Sequence, residues 1–318
     1  MRMAAALTSL QTLFVTVLPP PRLRSIQSMR VSATASPDQH PSLMAGAREH
    51  IGNFPHLLAP QKETLSRLVS MVEERLGSQL QPSSASVPSD VESYQSEDGS
   101  SLGFLNINRG VDTSPIDFLL TKCLHLSLPN ATIMNVVTLL GHLKPTMDAP
   151  HLLLEICHYS PCNLLVCFDL TPRKDLVLHP DYLKYYYEDG PLDACRRKFF
   201  EKIPEAQPYV SSSLYIRSAM SPTAILAVMK CDDGAPDRIE EIFRDGIGPA
   251  SEEILNFWMD NAFSARAVAG EDDGEMTRRD SMLKKISVDV DLAPKLPAIF
   301  GQGVGNRVID VIKGVYGI

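Results

Sequence analysis

The sequence predicts an α+β fold in which an antiparallel sheet is covered by helices on both faces. Three observations predict it. Between Leu102 and Leu170 the apolar residues recur with a period of two, the signature of strands. The connections between those strands are too short to hold crossover helices, so neighbouring strands must run antiparallel. Beyond Pro180 the period becomes helical, and strands followed by helices indicate α+β.

Residues 1–40 read as a cleaved organelle transit peptide. Arg2, Arg22, Arg24 and Arg30 stand among Ser, Thr and Ala, and no acid occurs before Asp38. A secretory signal fits less well. Leu7–Leu18 is fairly apolar, but Pro19-Pro20-Pro21 leads into basic residues and no small-residue cleavage site is evident. A plain unstructured arm stays open. Residues 41–318 read as one domain. Its first element is a helix over Lys62–Leu80, where Leu65, Leu68, Val69, Val72 and Leu76 share a face. Pro82–Ser101 is Ser-rich, acidic and aperiodic, and is expected to be a disordered loop.

Strands follow at Phe104–Asn108, Ile116–Leu128, Ile133–Leu140, His151–His158 and Asn163–Leu170, the last two joined by the turn Tyr159-Ser160-Pro161-Cys162. Leu214–Ala219 and Ala224–Lys230 are expected to add one or two more. Helices are expected at Pro180–Tyr187, Leu192–Lys202, Pro236–Phe243 (after Asp232-Asp233-Gly234), Pro249–Ala265, Glu275–Lys285 and Val304–Tyr316. The run Gly301-Gln302-Gly303-Val304-Gly305 reads as a helix-entry turn rather than an anion site.

Composition excludes several functions. The net charge is −8 over 318 residues, and −12 once the four N-terminal arginines are set aside, so the chain has no basic footprint for nucleic acid. No apolar run reaches the roughly 18 residues of a membrane helix. None of the six cysteines forms a Cys-x-x-Cys pair. The Cys157, Cys162, Cys167 spacing fits no common zinc site, so buried thiols are expected. Phosphate-loop, dinucleotide, zincin and nucleophile-elbow motifs are missing.

Glu155 is the most informative residue. It sits in the apolar strand His151-Leu152-Leu153-Leu154-Glu155-Ile156-Cys157, where period two puts it beside Leu153 and Cys157. Desolvation there would favour the protonated form, which a proton donor needs; an acid on a wet face is the plainer alternative. Asp289 and Asp291 alternate with valines and fit a solvated strand edge or a helix end as well as a site. Asp169 and Asp175 flank Pro172-Arg173-Lys174, where turn or ion-pair roles fit better than catalysis. Arg217 is a candidate for holding a substrate carboxylate, against the commoner fate of a surface ion pair. Tyr185-Tyr186-Tyr187 suggests a stacking platform, but three consecutive helical residues face different ways.

Several ordered strings carry a resemblance. They are Ser114-Pro115-Ile116-Asp117-Phe118; Arg173-Lys174-Asp175-Leu176-Val177-Leu178-His179-Pro180-Asp181-Tyr182-Leu183-Lys184; Pro208-Tyr209-Val210; Ile216-Arg217-Ser218-Ala219-Met220-Ser221-Pro222-Thr223-Ala224; and Arg278-Arg279-Asp280. From about residue 50 onward the chain resembles the red chlorophyll catabolite reductases, relatives of the ferredoxin-dependent bilin reductases. The resemblance implies an α/β/α sandwich around the antiparallel sheet and no bound flavin, haem or metal. It implies a chloroplast (stroma) enzyme that takes electrons from ferredoxin and reduces a linear tetrapyrrole, with protons from Glu155 and Asp291. It places Arg217, Ser218 and Met220 at the substrate, Met220 standing where Phe or Val is expected in a segment linked to product stereochemistry. A homodimer and a working association with the substrate-producing pheophorbide oxygenase are further implications. A non-catalytic bilin carrier is the competing reading. For an acidic ferredoxin, the candidate docking clusters are Arg196-Arg197-Lys198 with Lys202, the favoured one, and Arg278-Arg279 with Lys284-Lys285.

Overall fold

The computed structural model describes residues 43–128, 132–159, 162–231, 236–264 and 272–318. The expected transit peptide, the turn residues Ser160-Pro161 and the segment Asp232-Asp233-Gly234 lie outside them. The first described elements are α1 (Ala45–Asn53), which the sequence reading did not anticipate, and α2 (Ala59–Leu76). A short helix α3 (Ser89–Glu92) leads into β1 (Ser93–Gln95). The meander β2 (Leu102–Arg109), β3 (Ile116–Ser127), β4 (Ile133–Leu143), β5 (His151–Tyr159) and β6 (Asn163–Thr171) follows. Next come α4 (Pro180–Leu183), prolonged by a wide π-type turn over Lys184–Glu188, α5 (Leu192–Lys202), β7 (Ala206–Pro208), α6 (Leu214–Ala219) and β8 (Ile225–Lys230). The chain closes with α7 (Pro236–Ile242), α8 (Gly248–Ser264), α9 (Asp272–Ile286), a π-type stretch Ser287–Leu292, α10 (Ala293–Phe300) and α11 (Gln302–Tyr316).

Among the described residues eight strands form one sheet in the order β1-β2-β3-β4-β5-β6-β8-β7, with every neighbouring pair antiparallel. Each face of the sheet has its own core. Leu119, Val137, Leu154, Val166 and Ala227 point to one face, against Leu65 and Val69 of α2, Phe199 of α5 and Leu255 and Trp258 of α8. Leu120, Val136, Cys157 and Leu165 point to the other, against Val91 of α3, Val288, Phe300 and Ile312. Alternation along each strand therefore feeds two apolar layers, which is why the strands lack a polar face. At Gly141 a side chain would collide with the Trp258 ring, 2.7 Å from the added carbon, so glycine admits the indole. That indole donates to the Pro150 carbonyl at 3.1 Å. Gly301 enters α11 at a φ of +84°, as the helix-entry reading expects.

Two expected elements differ. Pro82–Ser101 is ordered, because Val87, Val91 and Tyr94 are buried and Tyr94 packs edge-on against Phe300 at 4.9 Å. A four-residue helix, a three-residue strand and an Asp98-centred turn, in which Asp98 accepts from Ser96 and Ser100, follow one another too quickly to show a period. Leu214–Ala219 is a helix, not a strand. Ser213 caps it by accepting the Ile216 N–H, and Leu214 and Arg217 face solvent. A short apolar run does not distinguish the two periods.

Candidate active site

Glu155 projects from the middle of the sheet. Register places it opposite Thr138 of β4 and Cys167 of β6, and places Lys122 of β3 opposite Thr138. Directly opposed residues point to the same face, so Lys122, Thr138, Glu155 and Cys167 form one transverse row. The Thr138 hydroxyl donates to Glu155 Oε2 at 2.9 Å, and the Lys122 ammonium stands 4.0 Å from the same oxygen. The Cys157 thiol lies 3.9 Å from Oε1. The carboxyl is partly open, its side chain 28% exposed. The purely apolar setting expected from β5 alone is thus corrected: the neighbouring strands supply a hydroxyl and a cation that no pattern along one strand could reveal.

Asp291 lies on the same side of the sheet, in the π-type stretch between α9 and α10. It pairs with Lys295 one turn on. Asp289 faces solvent with Lys285 at 2.8 Å. The two acids are alike in exposure, at 49% for Asp289 and 43% for Asp291. Burial pushes the Cys157 thiol well up, and the charges of Glu155 and Asp291 both add to the push. Both sequence-selected carboxyls thus lie on the same face of the sheet, where Cys157 and Val288 share one apolar core.

The helix α6 and the segment after it pack on this face. Tyr215 donates to the Leu283 carbonyl of α9 at 3.3 Å, and the Ser221 N–H donates to Asp169 Oδ2 at 3.1 Å. Of the residues expected at a substrate, Arg217 and Ser218 are exposed and Met220 is half-buried. The Ser218 hydroxyl is turned back to the Tyr215 carbonyl at 2.8 Å.

Asp169 is the residue that sequence reasoning undervalued. It opposes Leu153 across β5–β6, which makes it a diagonal neighbour of Glu155 on the same face. Burial pushes its carboxyl up to about 6, although Ser221 and Thr171 hold one oxygen. The other oxygen, Oδ1, is buried without a hydrogen-bond partner. An acid inside the apolar run Asn163–Leu170 was the available signal.

Cys167 is likewise raised, by burial first and then by Glu155 and Asp169, so the thiols beside Glu155 stay protonated. Among the described residues no disulfide forms, and no group of three or more His, Cys, Asp or Glu is arranged to hold a metal. Tyr182, Tyr186 and Tyr187 are buried in the core of the opposite face, so they make no stacking platform here. A cavity of about 1040 Å³ opens at the β1–β2 edge between His50, Phe54, Tyr94 and Arg307; none of the candidate residues lines it. Among the described residues no helix is long and apolar enough to cross a membrane.

Comparison with known proteins matches this architecture. A solved structure of phytochromobilin synthase from tomato, in complex with biliverdin, superposes with a TM-score of 0.58 over 78% of this chain and 83% of that one, at 15% identity, and so shares the fold. The chloroplastic red chlorophyll catabolite reductase of Arabidopsis thaliana is 38% identical over 85% of both chains. The chloroplastic red chlorophyll catabolite reductase 1 of Oryza sativa subsp. japonica is 40% identical over 81% of this chain and 78% of its own. The Hordeum vulgare red chlorophyll catabolite reductase is 39% identical over 64% of this chain and 98% of its own. The family model for red chlorophyll catabolite reductase matches residues 60–314. With that match spanning the whole sheet and both helical layers, the chain belongs to the red chlorophyll catabolite reductase family of enzymes.

Proposed function

We propose that this enzyme reduces red chlorophyll catabolite, a linear tetrapyrrole, to the primary fluorescent catabolite, with ferredoxin as electron donor. Saturating one double bond at a methine bridge takes two electrons and two protons. Two reduced ferredoxins give one electron each directly to the bound tetrapyrrole and are oxidised. Glu155 and Asp291 give one proton each and are recharged from water. Each added electron raises the basicity of the conjugated chain, so a positioned acid then protonates it; such acids contribute about 10² to 10⁴ in rate. The Thr138 hydroxyl fixes the Glu155 rotamer, and the Arg217 guanidinium takes a substrate carboxylate. Ser218 and Met220 form the adjoining wall. The enzyme works in the chloroplast stroma, in keeping with the chloroplastic relatives.

The observation that carries this reading is that Glu155, bonded by Thr138 with the Cys157 thiol 3.9 Å away, and the π-type stretch bearing Asp291 lie on one face of the sheet. A bilin carrier would need no such pair. Glu155→Gln and Asp291→Asn preserve shape and remove the acids. Turnover with saturating reduced ferredoxin should fall about 10²-fold or more, while tetrapyrrole binding, read by absorbance titration, stays within a few fold. Unchanged turnover in both variants rejects the assignment.

A further inference from the structure

A fully buried ion cluster joins the two halves of the site from behind. Arg173, on the segment after β6, has no exposed surface. Its Nε lies 3.1 Å from both oxygens of Asp280 in α9, and its outer nitrogens donate to the Asp280 carboxylate and to the carbonyls of Lys144, Met147 and Ala149. Those carbonyls belong to the loop between β4 and β5. His151, the first residue of β5, completes the cluster with Nε2 at 3.0 Å from Asp280 Oδ1. The Leu143 N–H donates to His151 Nδ1 at 3.2 Å, so the ring proton sits on Nε2 and is given to Asp280.

From this vertex two elements run to the site. Along β5, Glu155 is four residues on and Cys157 six, roughly 13 and 20 Å at strand rise. Along the unbroken helical run of α9 and the π-type stretch, Asp291 is eleven residues on, roughly 16 Å. The two legs end in one buried core, which holds Cys157 of β5 together with Val288 of the π-type stretch. A second tie, Lys284 to Asp117 of β3 at 2.6 Å, holds the helix against the sheet one turn beyond Asp280.

We propose that Arg173, Asp280 and His151 form a clamp that fixes the spacing of Glu155 and Asp291, with Asp280 and His151 as positioning residues for proton delivery. The inference rests on the assignment of those two carboxyls as proton donors. All three members of the clamp are buried, so it acts behind the surface that a substrate would meet. It acts by giving the strand and the helix a common origin, so that each acid's reach is set by a fixed length of regular backbone.

Two substitutions test it. Asp280→Glu keeps the charge and lengthens the tie by one methylene. His151→Asn keeps an acceptor for the Leu143 N–H, drops the bond to Asp280, and leaves Arg173 to neutralise the carboxylate. Rates are normalised to tetrapyrrole-binding sites, which removes any loss of folded protein. In both variants kcat should fall about tenfold or more, because misplacement by 1 Å can cost roughly 10²-fold. The KM for tetrapyrrole should stay within about threefold, since binding contacts are untouched. A clamp that only stabilises the fold would lower the midpoint of unfolding and leave the normalised kcat alone. If Asp280→Glu fails to fold, His151→Asn decides. Wild-type normalised kcat in folded His151→Asn, with Glu155→Gln damaging, overturns the clamp alone. Silence of Glu155→Gln as well overturns the carboxyl assignment beneath it.

Discussion

Burial sets the chemistry of single residues on the active face, and Asp169 shows it most sharply. Its carboxyl is pushed up to about 6 from an ordinary 3.8. A folded value above the unfolded one means that stability is intact below about pH 4 and is lost as pH rises through 6. Asp169→Asn, neutral throughout, should therefore gain on the wild type by up to about 3 kcal/mol between pH 4 and pH 7. Urea unfolding at the two pH values measures this; a constant gap contradicts it. Glu155 was legible because an acid stood out in an apolar strand. Its partners Lys122 and Thr138 were not, since pairing register between strands is set by the turns and both cores together, not by any one segment. Pattern did not separate Asp291 from Asp289. Nor does exposure separate them, since each pairs with a lysine four residues away and their side chains are 49% and 43% exposed. With Asp291 as the donor, Asp289→Asn should leave turnover within about twofold; a loss as large as that of Asp291→Asn would show that the two positions had been exchanged.

At the scale of elements, the strands of the meander were readable to within a few residues because each feeds two apolar layers. Leu214–Ala219 was misread because its helical identity comes from the Ser213 cap, a local hydrogen bond outside the apolar run. The helix α9 was readable as an element, but its anchoring was not: Arg173 and Asp280 are 107 residues apart in sequence. That anchor makes a stability prediction. Burial alone would push Asp280 up, but His151 and Arg173 outweigh it and hold the carboxyl far below the usual range. A depressed value means that its contribution is present above about pH 4 and is lost as pH falls below that. Acid unfolding should thus begin below about pH 4. Asp280→Asn should flatten that limb and cost about 3–5 kcal/mol at neutral pH, because it strands a buried guanidinium. Circular dichroism across pH 2–7, a range chosen to bracket the transition at about pH 4, follows both; an unchanged acid limb in the variant contradicts the assignment.

For the whole molecule, the sheet separates what the sequence could only place side by side. The favoured docking cluster lies on α5, whose Leu192, Cys195 and Phe199 pack on the face opposite Glu155. Arg196 and Arg197 are moreover paired with Asp193. Arg278 and Lys285 lie on α9, on the Glu155 side, with Arg278 exposed. We propose on this placement that ferredoxin docks over α9, where Lys284 and Lys285 are ion-paired and Arg278 is exposed. Under limiting ferredoxin, Arg278→Glu should raise the apparent KM for ferredoxin several-fold and added salt should slow the rate, since screening shortens to about 8 Å at physiological ionic strength. Arg197→Glu should be silent; the reverse pattern would return the donor to the far face. The central claim is that this molecule turns a linear tetrapyrrole over rather than merely holding it. Anaerobic incubation of the purified protein with red chlorophyll catabolite and reduced ferredoxin tests that most directly. The account predicts a blue-fluorescent product, with two ferredoxins oxidised for each tetrapyrrole reduced. Tight tetrapyrrole binding with no ferredoxin oxidation and no fluorescence would contradict it.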